Sequence, residues 1–488
     1  MRHLNKDHFW ININSFFAPL FNFILVSLFL VGCKSLADVK APPTSLNVSN
    51  VYSNDAAAIA VVTGIYEQMS TGSFATGSGS ISLEAGLSSD ELSLWSGVTD
   101  PTILAQYQNA LSVSLQPSFF DNIYNFIYLI NDAIEGISNS KTLTPAIQKQ
   151  LLGEVDFLRG FLYFYLVNMY GDVPLVLSTS YKTNSLLARS SQVLVWKQII
   201  VDLANAQGLL SNSFLDGTIV NNTIERVRPT KWAASALLAR AYLYTKDWAN
   251  AGSQASLVLN NSSLFNLVGL DSVFLKNSKE AIWQLQPVNV GWNTEDARTF
   301  IIPNGGLNVG NFVYLSTDLI NSFEVNDGRR LNWVDSVISS GAIFYFSYKY
   351  KNLEVVDTVS EYLMVLRLGE QYLIRAEAEA NGAGGGINAA ISDLNVIRSR
   401  AGLPVYSGGQ DQASILNAIL HERRVELFTE WGHRWFDLIR TGSVDSVMGS
   451  PGNVCNSKGG NWSSYWELYP ILISELLFDP NLTQTPGY

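Results

Sequence analysis

Six side chains in this sequence have types and settings suited to holding a sugar. Trp95, Asn289, Trp292, Asp296, Arg298 and Tyr314 stand in stretches rich in glycine, serine and asparagine, outside any helical stripe of apolar residues. A sugar offers an apolar face of C–H groups and a rim of hydroxyls. A flat indole or phenol meets the first, and amide, carboxylate and guanidinium groups bond the second in pairs. Trp95 sits among polar neighbours in TGSFATGSGSISLEAGLSSDELSLWSGVTDP, which reads as an exposed loop region over Thr71–Asp100. The alternative for Trp95 is a loop indole folded back onto the body. The other five fall within Asn289–Tyr314, a run with no periodic pattern, and a loop of that length is uncommon unless functional.

Other chemistry was weighed against this. Asp90, Glu91, Glu295 and Asp296 are carboxylates of the kind a glycoside hydrolase pairs at ~5–10 Å across a cleft, but no motif fixes them. His421 and His433 suggest a metal, yet HERRV is not HExxH. Gly77-Ser78-Gly79 lacks the frame of a nucleophile elbow, and neither a dinucleotide fingerprint nor a P-loop is present, so no cofactor is expected. Glu422, Arg423, Arg424, Glu426, Arg434, Asp437 and Arg440 resemble a catalytic cluster only superficially. At helical spacing their ordinary use is paired, buried ion bridges between helices.

The elements that must position these groups are mainly helices. Apolar spacing predicts helices from Ala56 to near Met69, Phe119–Ile137, Gly153 to Gly171, Ser191–Leu210, and a pair within Arg228–Leu259. The stretch Arg367–Arg440 reads as two antiparallel helices with small alanines at the crossing, then a third carrying the charge cluster. EAIWQLQPVN alternates like a strand, and Leu264–Tyr362 is the least helical region. Small residues on one helix, a turn at Lys246-Asp247, and Trp248, Ala251 and Ala255 on the next resemble a tetratricopeptide unit, without a strict period of ~34 residues.

Composition narrows the setting. Charged residues make up 15% of the 488, against about 25% in an average domain, and the net charge is −11. That balance argues against nucleic acid as a partner. Arg2 and Lys6 precede an apolar run over Phe16–Leu30, too short for a comfortable span of ~20 residues. Residues 1–32 therefore read as a signal peptide. Leu30-Val31-Gly32-Cys33 resembles a bacterial lipobox with lipid on Cys33, and the alternatives are a signal anchor or a plain secretory signal. Residues 33–50 read as a tether, with Pro42-Pro43 keeping it extended. Cys455 is left as a lone thiol with no function read into it.

RLGEQYLIRAEAEA, DLNVIRSRAGLP and HERRVELFTEWGHRWFDLIR, in that order, resemble the C-terminal signature of the SusD/RagB family of surface nutrient-binding lipoproteins. The ending YPILISELLFDPNLTQTPGY and the GDVPL turn after the Gly153 helix look like the same family, as does the turn at Asp327 and Arg329-Arg330. One departure stands out. The family's ending usually carries Pro-Ile-Pro and an asparagine before the last proline, where this chain has Pro470-Ile471-Leu472 and Thr485-Pro486. The resemblance implies a mostly α, SusD-like fold with tetratricopeptide-like helix pairs and long, partly β loop regions carrying the ligand site. It implies one body over 51–488, with an N-terminal helical part (51–265) and a C-terminal part (266–488). It also implies a non-enzymatic, lipid-anchored outer-membrane protein facing the cell exterior. Such a protein would bind oligosaccharide and partner a SusC-like TonB-dependent transporter through the tetratricopeptide-like face. Peptide binding, as in the RagB branch, is the alternative within the family; a glycoside hydrolase or a purely structural scaffold are those outside it.

Overall fold

Most of the long helices pack against their neighbours in sequence. In the computed structural model, which describes residues 51–72 and 74–488, α1 (Asp55–Met69) starts at Asn54, whose side chain accepts from Ala57 N. The expected signal peptide and tether, with Cys33, lie outside the described residues. Two short helices follow, α2 (Ile81–Ser88) and α3 (Pro101–Tyr107). α4 (Phe119–Asn139) buries Ile123, Ile127, Ile130 and Ile137 along one stripe. α5 (Pro145–Tyr170) begins eight residues before the expected Gly153, with proline in its first turn. It is buried on every side from Gly153 to Val167 and forms the axis of the main core.

α6 (Gln192–Leu209) lies against α5 where Gly160 permits close approach; a Cβ there would come 2.9 Å from Leu203 Cδ2. α7 (Lys231–Tyr244) and α8 (Trp248–Leu259) form a hairpin turned by Lys246 at positive φ, with Asp247 capping α8. α9 (Glu295–Phe300) is a short helix inside the stretch expected to be loop. α10 (Leu368–Ala380) then lays small residues on α8: Ala251, Ala255, Ala378 and Ala383 share one cluster. α10, α11 (Gly386–Arg400) and α12 (Gln412–Glu426) close around Leu373, Ala376, Leu394, Ile397, Ile415 and Ile419. The chain turns at Gly432 into α13 (His433–Arg440). Residues Val51–Tyr488 make one compact unit.

Strands are few and come in antiparallel pairs. β1 (Leu92–Leu94) pairs with β3 (Val313–Leu315), setting Ser93 opposite Tyr314. β2 (Ala281–Leu285) pairs with β6 (Leu363–Arg367), and β4 (Val334–Ser339) with β5 (Ala342–Ser347) in a hairpin.

The expectation of an exposed loop over Thr71–Asp100 is overturned for residues 80–92, whereas residues 93–100 are partly or fully exposed. All eight residues of α2 are buried, so the helix has no polar face and its apolar period vanishes from the sequence. Its serines resemble loop composition, but their hydroxyls are used internally. Ser80 caps Leu83 N, Ser82 Oγ accepts from Trp431 N, and Ser88 Oγ bonds Tyr469.

The charged residues of α12 and α13 form a buried network, the structural use expected of them. Glu426 accepts from Arg329 and Arg367 and pairs with Arg400, while Arg367 also reaches Glu430. Arg400 bonds Glu280, Arg423 bonds Asp437, and Arg440 joins Asp437 to Glu377. Burial opposes the charge on Glu426, but the three guanidiniums outweigh it and hold its carboxyl well below the ordinary range. Arg240 and Glu370 tie α7 to α10 by a two-pronged bridge at 2.7 and 2.6 Å.

Candidate ligand-binding site

Three of the six candidate residues converge. β2 ends at Leu285, and the chain turns at Asn289–Trp292, where Trp292 N–H donates to Asn289 O. Gly291 takes φ +76° there, and a Cβ would meet Val356 O at 2.8 Å, so the turn requires glycine. Thr294 then caps α9. One helical turn on, the Arg298 guanidinium lies 3.7 Å from the centre of the Trp292 ring. Burial raises the carboxyl of Glu295, while Arg298 and a hydrogen bond with Asn289 pull it back. Asn289, Trp292, Glu295 and Arg298 thus form one partly exposed cluster.

Asn289, Trp292 and Glu295 line a shallow recess together with Ser70, Thr76 and Gln286. Its wall residues Ser70, Leu285, Gln286, Pro287 and Val288 also line a cleft of about 520 Å³, so the two adjoin. That volume falls within the usual range for small-ligand pockets. The cleft's far side comes from α1 (Thr63, Tyr66, Glu67) and from the 215–228 segment (Leu215, Asp216, Glu225, Arg228). Tyr66 donates to Glu154, and Arg228 bonds Glu154 and Thr63, so the floor is pre-organised. Sequence reading missed this wall. Tyr66 adjoins the buried stripe of α1 and gives no loop signal of its own.

Trp95 and Tyr314 belong to a different place. Trp95 N–H donates to Phe312 O, extending the β1–β3 ribbon, and Tyr314 sets its ring edge-on against Phe344 at 5.1 Å. Both are half-buried against the main core. Among the described residues no ring contact or hydrogen bond links them to Trp292.

Asp296 departs from expectation. It is only 3% exposed and lines a small internal cavity with Lys349, Tyr350 and Glu430. Burial lifts its carboxyl to about 8, helped by Glu430 and Glu295. The reason is helical geometry: neighbours two apart on a helix face away from each other, so Asp296 is inside while Arg298 is outside. Glu295, three residues from Arg298, takes the outer place expected of Asp296.

The four carboxylates considered for hydrolysis do not line a common cleft. Asp90 lines an open depression and Asp296 an internal cavity, while Glu295 lines the Trp292 recess and Glu91 is buried. Among the described residues no group of three or more His, Cys, Asp or Glu side chains is placed to hold a metal ion. Cys455 is buried, with Sγ 3.2 Å from Gln108 O.

Two family models match the chain. Residues 343–488 match the SusD family, and residues 45–243 match a model described as starch-binding associating with outer membrane. The chain belongs to the SusD/RagB family. Among SusD-like relatives, protein P2 of Formosa agariphila is 25% identical, over 96% of this chain and 99% of its own length. SusD-like protein P25 of the same organism is 26% identical, over 75% and 77%. A laminarin binding SusD-like protein superposes with a TM-score of 0.74 at 24% identity, covering 90% of this chain and all of that one. Surface glycan-binding protein A from Bacteroides uniformis gives 0.74 at 19%, covering 88% and 98%. The mostly α, SusD-like fold is therefore established. Among the described residues, no helix of this SusD-like chain is long and apolar enough to cross a membrane.

Proposed function

We propose that this SusD-like chain is a cell-surface lipoprotein that captures oligosaccharide without cleaving it and passes it to a SusC-like TonB-dependent transporter. The feature that carries the reading is the Trp292 recess and its adjoining cleft. An indole backed by Arg298 meets the C–H face of a sugar, while Asn289, Glu295 and Gln286 bond its hydroxyls. The 520 Å³ cleft gives neighbouring rings somewhere to lie. Trp95 and Tyr314 on the β1–β3 ribbon supply a second aromatic platform. The laminarin-binding relative supports a glucan as the first ligand to try.

The helix pairs α7–α8 and α10–α11 supply the tetratricopeptide-like face for the transporter, and lipid on Cys33 supplies the anchor. A glycan and peptide array probed with the soluble protein tests the ligand class. Glycan capture with no released product supports binding; peptide capture alone points to the RagB-like alternative; product formation overturns the non-enzymatic reading. Co-purification from native membranes tests the partner, and recovery of the protein alone under mild detergent rejects it.

A further inference from the structure

Away from the Trp292 recess, an open depression of about 730 Å³ contains two guanidiniums that share one carboxylate. Arg434 takes both oxygens of Asp90, Nε to Oδ1 at 2.7 Å and Nη2 to Oδ2 at 2.8 Å. Arg424 brings Nη2 to 2.8 Å from the same Oδ2, but out of hydrogen-bonding alignment. Its Nε and Nη2 have no hydrogen-bond acceptor among the described residues, although its side chain is only 17% exposed. A buried guanidinium without acceptors is costly, because its donors have left water for nothing.

The surroundings bear on charge. Lys458 approaches from below, its ammonium held by the Leu87 and Ser89 carbonyls, and burial brings it down to about 7. Glu91, which would neutralise the arginines, is lifted to about 8 by burial and then by Asp90, so it is mostly uncharged at neutral pH. His421 on the wall is held low by burial and stays neutral. Asp318, exposed, is the second acidic group on the lining. Both Asp90 oxygens already accept from Arg434, and Arg424, although ion-paired to the same carboxylate, is the one left with donors that have no aligned acceptor. The remaining lining suits a sugar ring: Asn321, Ser322 and Ser446 offer hydroxyl partners, and Val447 an apolar contact.

We propose that this depression binds an oxyanion carried on a saccharide, a carboxylate or a sulfate ester, with Arg424 as its principal donor. The inference rests on the reading of the chain as a saccharide binder and adds a second, charge-selective site to it. In a protein of net charge −11, an acidic glycan needs such a local cation to be retained. Arg424 presents a fork that carboxylate and sulfate both match.

The test uses the soluble protein, its Arg424→Gln and Arg424→Lys variants and a Trp292→Ala control, titrated calorimetrically at constant ionic strength. The ligands are sodium sulfate, methyl glucuronide, a neutral laminari-oligosaccharide, and uronate- and sulfate-bearing oligosaccharides. Arg434 keeps Asp90 paired in the Arg424 variants, so their melting temperatures should match the parent. The expected result is binding of the acidic ligands weakened about tenfold or more by Arg424→Gln, partly restored by Arg424→Lys, and sulfate binding indifferent to Trp292→Ala. Preference for uronate over sulfate, or the reverse, identifies the carrier group. Acidic ligands that do not bind, or that bind equally to Arg424→Gln, overturn this inference while neutral-glycan binding at Trp292 stands. Sulfate bound through Arg424 with every saccharide refused overturns both the saccharide half of the proposal and the functional reading above.

Discussion

Replacing Trp292 by alanine should separate binding from folding. The residue is half-buried, and the ring contact seen in the structure is Arg298 at 3.7 Å. A partly exposed cation–π contact is worth about 0.5–1 kcal/mol, so the folding loss should be of that order. For a body of this length, with unfolding entropy near 2 cal/mol/K per residue, 1 kcal/mol moves Tm by roughly 1 °C. Affinity should suffer more. Stacking of a flat ligand on an aromatic ring is worth about 1–3 kcal/mol, or roughly 5- to 150-fold in Kd.

Trp283→Ala is the contrast. That indole is fully buried, edge-on to Phe157 and Phe161, and its loss should cost about 3–5 kcal/mol with affinity kept in the folded fraction. The assay is a pair of numbers per variant: Tm by differential scanning fluorimetry, and Kd by calorimetry for the glycan that binds the parent. If Trp292→Ala lowers Tm as far as Trp283→Ala while Kd holds, the ring is structural and the recess is not the site. Unchanged values of both would equally remove Trp292 from the site.

Three further outcomes are expected. Glu426→Gln removes the one charge that three buried guanidiniums share, leaving them only their outer carboxylates, and should destabilise by about 3–5 kcal/mol, read from the urea midpoint at unchanged m; a midpoint within error of the parent would show the network to be dispensable. Asp296 has its carboxyl raised to about 8, so its favourable contribution is complete below about pH 4 and is lost as pH climbs through 8. Asp296→Asn should therefore gain on the parent in melting temperature between pH 5 and 9, and parallel curves would refute the shift. Cys33→Ala should release the protein from the membrane fraction, and full retention would reject lipid on that residue.

Where one face of a helix meets the core and the other meets water, the pattern was readable. The expected Phe119–Ile137 and Ser191–Leu210 helices differ from the observed ends by two residues or fewer. It failed where that contrast is absent. α2 is enclosed on all sides and so looked like a serine-rich loop. α9 is too short to show a period, which hid that Asp296 and Arg298 diverge. Most of the charge cluster was read correctly as structural, Arg424 in the open depression being the exception, but two partners of Glu426 were invisible, because Arg329 and Arg367 come from segments far from α12 in sequence. The cleft wall was missed for the same reason. Tyr66 and Asp216 meet Gln286 only through the packing of α1 and the 215–228 segment onto the end of β2. The aromatic loops pointed to Trp292, Asn289 and Arg298, which do cluster, and to Trp95 and Tyr314, which form a separate ribbon.

The three guanidiniums on Glu426 also set a timetable for biogenesis. Arg329 precedes Glu426 by 97 residues and Arg367 by 59, so both leave the ribosome before the carboxylate that will neutralise them. At about 5–20 residues per second, Arg329 waits roughly 5–20 s for its partner. Asp327 is at hand for Arg329 from the start, but collapse in that interval would still bury guanidiniums short of the carboxylate they share, which favours a hydrated middle of the chain. N-terminal contacts are deferred as well, since Asp90 needs Arg434 and Ser88 needs Tyr469. Such a chain tends to remain open until nearly all of it has been made. That would suit the exported lipoprotein proposed above, which would be threaded across a membrane before it folds, and it makes truncation near the C-terminus more damaging than the few lost contacts would suggest.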